Sequence, residues 1–189
     1  MVLKRLQNDV EGRSGKPPID RWDPPYSGAM DLCIAADGQW YHEGSPIRRP
    51  ALVKLFASIL RREGDGHYYL VSPREKWRIT VEDTPLRVVA ADYHGEDLVA
   101  TLDTGEEVVV GAGHPLVLRA APGGGEETPC LQLWHGLDAR LARPVYYRLA
   151  EWAEAVRQGD EIRWLIPSGE GRYPLGQGLA SGLEDEAGG

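Results

Sequence analysis

Two arginines, each followed by a proline, stand at matching places in two similar stretches: Arg49 in GSPIRRPALVKLF (44–56) and Arg143 in DARLARPVYYRLA (138–150). A guanidinium beside a helix-opening proline lies where free backbone N–H groups and the helix dipole already favour an anion such as phosphate. The competing reading is a surface ion pair, for which this acidic chain has many carboxylates. Between the two stretches, SPREKWRITVEDTP (72–85) gathers Arg74, Glu75, Lys76, Arg78, Glu82 and Asp83. Such mixed charge can orient a polar ligand at a domain junction, or simply guard an exposed strand edge. Large rings, among them Trp40, Tyr41, Trp77, Trp134, Tyr146 and Tyr147, could stack a planar base. With a single phenylalanine in the chain, they must also fill its cores.

Other chemistry has little support in the spacing. The histidines at 42, 67, 94, 114 and 135 form no HxH or HExxH pattern, so no metal site is expected. GAGHPL (111–116) has two glycines of a dinucleotide loop but runs into Pro115 and a strand-like segment, leaving no helix N-terminus for a pyrophosphate. There is no GxSxG, Cys33 and Cys130 have no evident histidine partner, and no catalytic residue or cofactor is assigned. The cysteines are too few and too far apart for a disulfide framework or a thiolate zinc site. A formal net charge of -8 argues against duplex nucleic acid, which needs a concentrated positive face. No export-type apolar segment or membrane-length run of about 20 apolar residues is present, so a soluble cytoplasmic protein is expected.

The elements that would hold these residues follow from patterning. DLCIAADGQWYHEGSPI alternates on either side of Asp37-Gly38 and predicts a β-hairpin. Pro50 opens a helix whose apolar face is Leu52, Leu55, Phe56, Ile59 and Leu60, running to Arg61-Arg62 with Gly64 as its stop. HYYLVSP follows as a strand. Lys76 to about Leu118 reads as an antiparallel meander, and APGGGEETP (121–129) as a flexible loop. Pro144 opens a second helix with the stripe Val145, Leu149, Trp152, Ala153 and Val156, stopped by Gly159, and EIRWLIP is the strand beyond.

Sliding residues 40–73 onto 134–167 without a gap pairs Trp40 with Trp134, Arg49 with Arg143, Pro50 with Pro144, Leu55 with Leu149 and Pro73 with Pro167. The same order of strand, Arg-Pro helix start, glycine stop and Pro-terminated strand points to internal duplication. The expected architecture is α+β, two sub-domains each with a hairpin, helix and strand unit, the second enlarged by the meander. The expected segments are a flexible tail over 1–17, an N-terminal α+β domain over 18–79, a β-rich domain over 80–178 and a flexible acidic tail over 179–189.

DGQWYHEGSPI, RPALVKLFASILRRE and VSPREKW with ITVEDTP together resemble the bacterial family known as domain of unknown function 1285. The likeness runs continuously from about Trp22 to Val89 and more weakly to Leu175. The resemblance implies a core made by duplication, two domains, and a C-terminal domain superficially like a pleckstrin-homology barrel. It also implies a nucleotide-like ligand at the domain interface and a role in signal transduction, and it brings no catalytic residues. Glu75-Lys76 and Asp83 match the family pattern. Where the family often has Gly-Asp-x-Asp before the hairpin, this chain reads GAMD, so Ala29 stands in place of one carboxylate and Asp31 alone remains.

The leading expectation is a non-catalytic regulatory protein that binds a small anionic, nucleotide-like ligand through Arg49, Glu75, Lys76, Asp83 and Arg143, with Trp40 and Trp77 as rings. An adaptor for a signalling protein is the alternative, and an enzyme acting on a phosphorylated metabolite ranks last.

Overall fold

In the computed structural model, which describes residues 2–10, 16–121 and 123–179, the chain divides into two units. One comprises Met1–Pro85 with Trp134–Leu137, the other Leu86–Leu133 with Asp138–Gly189.

The first unit begins with α1 (Val2–Val10), followed by a 3-10 turn at Ile19–Arg21. The part of the expected tail over 1–17 that is described is therefore largely helical. Leu6 and Val10 fall on one side, Leu6 is 0% exposed, and α1 lies against α2 (Pro50–Ala57). That spacing of apolar residues is short enough to pass for a polar tail. The strands are β1 (Tyr26–Ile34), β2 (Trp40–His42), β3 (Ser45–Pro46), β4 (Leu60–Arg62), β5 (Tyr68–Val71) and β6 (Lys76–Val81). They form one sheet in the order β3-β2-β1-β6-β5-β4, with β1 and β6 parallel and all other neighbours antiparallel. The Asp37-Gly38 hairpin is present: Gly38 takes a φ of 89°, which a side chain would resist, and the Gln39 N–H donates to Asp37 Oδ1. Leu32, Ile34, Trp40, Phe56, Ile59, Leu60 and Leu70 form the core of this unit.

In the second unit the strands are β7 (Leu86–His94), β8 (Asp97–Leu102), β9 (Glu107–Val109), β10 (Leu116–Ala120), β11 (Glu127–Gln132) and β12 (Asp138–Leu141). They make a sheet in the order β9-β8-β7-β12-β11-β10, again with one parallel pair, β7 with β12, at its centre. Each sheet is thus two three-stranded meanders joined by the first strand of one and the last strand of the other. This shared topology is consistent with duplication. Its frame, β1–β6 against β7–β12, differs from the pairing of 40–73 with 134–167. That pairing matches the two helix starts, but the first copy's helix lies between β3 and β4, whereas α3 (Arg143–Ala150) follows β12. The chain then adds a separate three-stranded sheet, β13 (Glu154–Gln158), β14 (Glu161–Ser168) and β15 (Gly171–Leu179). Within this unit α3 packs against β7, β14 and β15, and β15 against β10 and β11.

Helices α2 and α3 both end sooner than their apolar spacing predicts. In α2 the Ser58 hydroxyl donates to the Leu55 carbonyl at 2.6 Å, and the chain turns into β4, where Leu60 pairs with Leu70. After α3, Val156 lies in β13 opposite Arg163, and Gly159, at a φ of 64°, serves the β13–β14 turn instead of capping a helix. A ladder of paired strands buries the same apolar residues while satisfying the backbone, so it wins over continued helix. Among the described residues no helix is long and apolar enough to cross a membrane. Residues 180–189, nearly all of the expected acidic tail, lie outside the described residues.

Candidate functional site

Three arginines converge within the second unit. Arg87 of β7 and Arg140 of β12 are register partners across the parallel junction, so both side chains leave the sheet on one face. Arg143 follows three residues after Arg140, at the start of α3. All three line a cleft of about 850 Å³, together with Tyr146 and Tyr147 of α3 and Trp164 of β14. That volume falls in the range of small-molecule sites, roughly 300–1,000 Å³.

The arginines are held differently. Arg140 is fixed by Nη1, which donates to Thr128 Oγ1, and by Nη2, which donates to the Ala120 carbonyl at 3.2 Å. The Arg143 side chain is exposed and makes no hydrogen bond or ion pair among the described residues. A fixed guanidinium beside a free one suits an anion that docks on the first and is closed upon by the second. Two carboxylates, Glu126 and Glu127, also line the cleft. Glu127 accepts from Gln177 Nε2 at 3.1 Å, and three arginines against two glutamates leave the lining with one positive charge in excess in a protein whose net charge is -8.

The rings of the lining come from α3 and β14. Tyr146 and Tyr147 meet edge to face with centroids 5.7 Å apart, and Tyr147 is 58% exposed. Trp164 is half-buried, paired in register with Gly176 of β15. The cleft lining contains no serine, cysteine or histidine, and its one threonine hydroxyl accepts from Arg140. The lining offers guanidinium donors, aromatic faces and the two carboxylates of Glu126 and Glu127.

Of the residues singled out in sequence, Arg143, Tyr146 and Tyr147 line this cleft; Arg49, Glu75, Lys76, Asp83, Trp40 and Trp77 belong to the first unit. Trp40 is 1% exposed, so its ring is core and presents no face to a ligand. Arg49 is the exposed N-cap of α2; its carbonyl accepts from the Leu52 and Val53 N–H groups, and its side chain makes no hydrogen bond or ion pair among the described residues. Glu75, Lys76 and Trp77 run along β6 and are engaged locally. Trp77 Nε1 donates to Glu75 Oε2 at 3.1 Å, and Arg5 pairs with the other oxygen at 3.1 Å. Lys76 Nζ donates to both oxygens of Glu63, at 3.1 and 2.9 Å, and lies 5.1 Å from the centre of the Tyr69 ring. Burial alone would push the Glu63 carboxyl up; hydrogen bonds and charge from Lys76 and Arg61 outweigh it and hold it below its ordinary value. Tyr69 donates to Asp65 Oδ2 at 2.6 Å, and this bond to a carboxylate, aided by burial, pushes the phenol up to about 12. Asp83 is half-buried just beyond β6.

Arg87, Arg140 and Trp164 escape sequence reading because strand pairing alone unites them. On the anion side Arg140-x-x-Arg143 is the local signal, and it marks two of the three arginines.

Taken together, these features define a two-domain mixed α/β protein built on two six-stranded sheets of like topology. The chain belongs to the DUF1285 family: its N-terminal domain model, a domain of unknown function, matches residues 17–84, and its C-terminal domain model, a protein of unknown function, matches residues 85–175. A DUF1285 family protein from Silicibacter pomeroyi DSS-3 is 34% identical, with 95% of this chain and 97% of that one covered at a TM-score of 0.81. A second, from Shewanella baltica OS155, is 28% identical, with 65% of this chain and 91% of that one covered at a TM-score of 0.53. No curated protein matches the chain.

Proposed function

We propose that the protein is a non-catalytic, cytoplasmic regulatory protein that binds a small anionic, nucleotide-like ligand, and that the ligand seats in the cleft of the second unit. The observation that carries this reading is the meeting of Arg87, Arg140 and Arg143 with Tyr146, Tyr147 and Trp164 around one space of about 850 Å³. Guanidiniums give charge-assisted bonds to an anion, and rings give stacking area at small entropic cost. The order of the second unit, two meanders followed by α3, supports the finer reading of a pleckstrin-homology-like architecture.

The test is thermal unfolding across phosphorylated and carboxylated metabolites and their uncharged counterparts. A ligand at about 100 times its dissociation constant adds roughly 2.7 kcal/mol, which at about 2–4 °C per kcal/mol raises the midpoint by roughly 5–10 °C. Protection by charged members alone, lost in Arg87→Ala, supports the reading; a flat panel overturns it.

One observation favours an adaptor as the second reading. Val89, set out at a bulge in β7, and Val109, on the edge strand β9, are 49% and 50% exposed. Capture of a protein partner that is lost in Val109→Lys, with the metabolite panel flat, would favour it.

A further inference from the structure

Trp164 has an unusual seat. Its six-membered ring runs along β15: a Cβ on Gly176 would lie 3.8 Å from Cε3, and one on Gly178 would lie 3.2 Å from both Cζ3 and Cη2. These two glycines alternate onto the same face, so the indole rests on bare backbone; a Cβ at Gly178 would press on the ring, while one at Gly176 would meet it at ordinary van der Waals distance. Glycine inside a strand weakens the strand, and here it sets the level of the ring. The hydroxyl of Tyr146 comes within 3.8 Å of the same Gly176 position. Both rings line the cleft that holds the three arginines.

From this arrangement, and resting on the anion-cleft reading above, we infer that the ligand is a phosphomonoester carrying a planar aromatic ring. The ring stacks on the Trp164 face and abuts Tyr146, and the phosphate lies on Arg87 and Arg140. Trp164 is the platform, and Gly178 is the specificity-determining position that fixes how deep the ring can sit. Three guanidiniums match a phosphate dianion better than a single carboxylate.

The experiment is calorimetric titration of the full chain with the four common 5′-mononucleotides and with ribose 5-phosphate, which has the same phosphate and sugar but no ring. At least one mononucleotide is expected to bind more tightly than ribose 5-phosphate by roughly 5- to 150-fold, the range of one base–aromatic stack. Trp164→Ala should bring that nucleotide down to the affinity of ribose 5-phosphate, while ribose 5-phosphate itself is unchanged. Trp164→Phe should keep most of the preference. Gly178→Ala should reduce it without altering ribose 5-phosphate, since the added methyl displaces the indole alone. If the wild type binds ribose 5-phosphate as tightly as every mononucleotide, or if Trp164→Ala weakens both equally, the ring platform is wrong and the anion cleft stands. If none of the five compounds binds, the anion cleft falls and the platform with it.

Discussion

Replacing Arg143 by alanine should separate ligand recognition from folding, because its two effects have opposite signs. Arg143 is the first residue of α3, where the helix dipole is positive, and that turn contains no acidic residue to offset it. A cation there costs a helix about 0.3–1 kcal/mol. Nothing offsets the cost: the side chain has no hydrogen bond or ion pair among the described residues, and Arg87 and Arg140 line the same cleft. Without ligand, Arg143→Ala should therefore leave stability unchanged or raise it by up to about 1 kcal/mol, an increase of about 2–4 °C or less in the unfolding midpoint. In binding, the loss of a charge-assisted hydrogen bond should cost about 1.5–3 kcal/mol, a rise of roughly 10- to 150-fold in Kd. Differential scanning calorimetry in phosphate-free buffer measures the first effect, and titration with the mononucleotide that protects best measures the second. The gain in midpoint should shrink at high salt, as screening weakens repulsion between exposed charges. A midpoint lowered by more than about 2 °C would show that Arg143 supports the fold, and an unchanged Kd would remove it from the ligand set.

Arg61 donates from Nη1 to the carbonyls of Ile19 and Trp22, both at 3.0 Å, and pairs with Glu63. Arg61→Met should lower stability by about 2–4 kcal/mol in urea unfolding, with Arg61→Lys recovering less than half, because one ammonium cannot reach all three acceptors. Glu63, whose carboxyl is held below its ordinary value, contributes stability that is present above that value and lost as pH falls through the depressed one. The gap in urea midpoint between wild type and Glu63→Gln should therefore be widest at pH 6–7 and close progressively below about pH 4.5; a gap independent of pH would refute the assignment. Buried Ser168 donates to the Val110 carbonyl at 2.6 Å and accepts from the Leu98 N–H at 2.9 Å, so Ser168→Ala should cost about 2 kcal/mol by chemical denaturation.

Most strands were legible because each alternates within a few residues, and both helix starts because Pro50 and Pro144 fix the backbone where they stand. The helix ends were not. Ile59-Leu60 and Trp152-Ala153-Val156 satisfy a helical face and a strand face alike, and only the pairing partners decide. The frame of the repeat was hidden for a similar reason: the two sheets share an order of strands, while the matching residues cluster at helix starts that occupy different places in that order. The candidate site was legible at Arg143 and the neighbouring tyrosines, where helix start and rings adjoin in sequence. Its other half depends on Arg87 meeting Arg140 and Trp164 meeting Gly176, and those contacts are products of strand register that no local pattern announces.

The first unit is not a continuous piece of the chain. Trp134 to Leu137 belong to it: Lys16 Nζ lies 3.6 Å from the centre of the Trp134 ring, His135 Nδ1 pairs with Asp20 at 2.7 Å, and Gly136 packs closely enough that a Cβ would stand 3.2 Å from the Arg62 carbonyl oxygen. On the ribosome, then, the N-terminal unit cannot be completed when Pro85 emerges. It must wait for Leu137, a delay of roughly 3 to 10 seconds at 5–20 residues per second, and a fragment cut at the boundary between the two family domains would carry that incompleteness permanently.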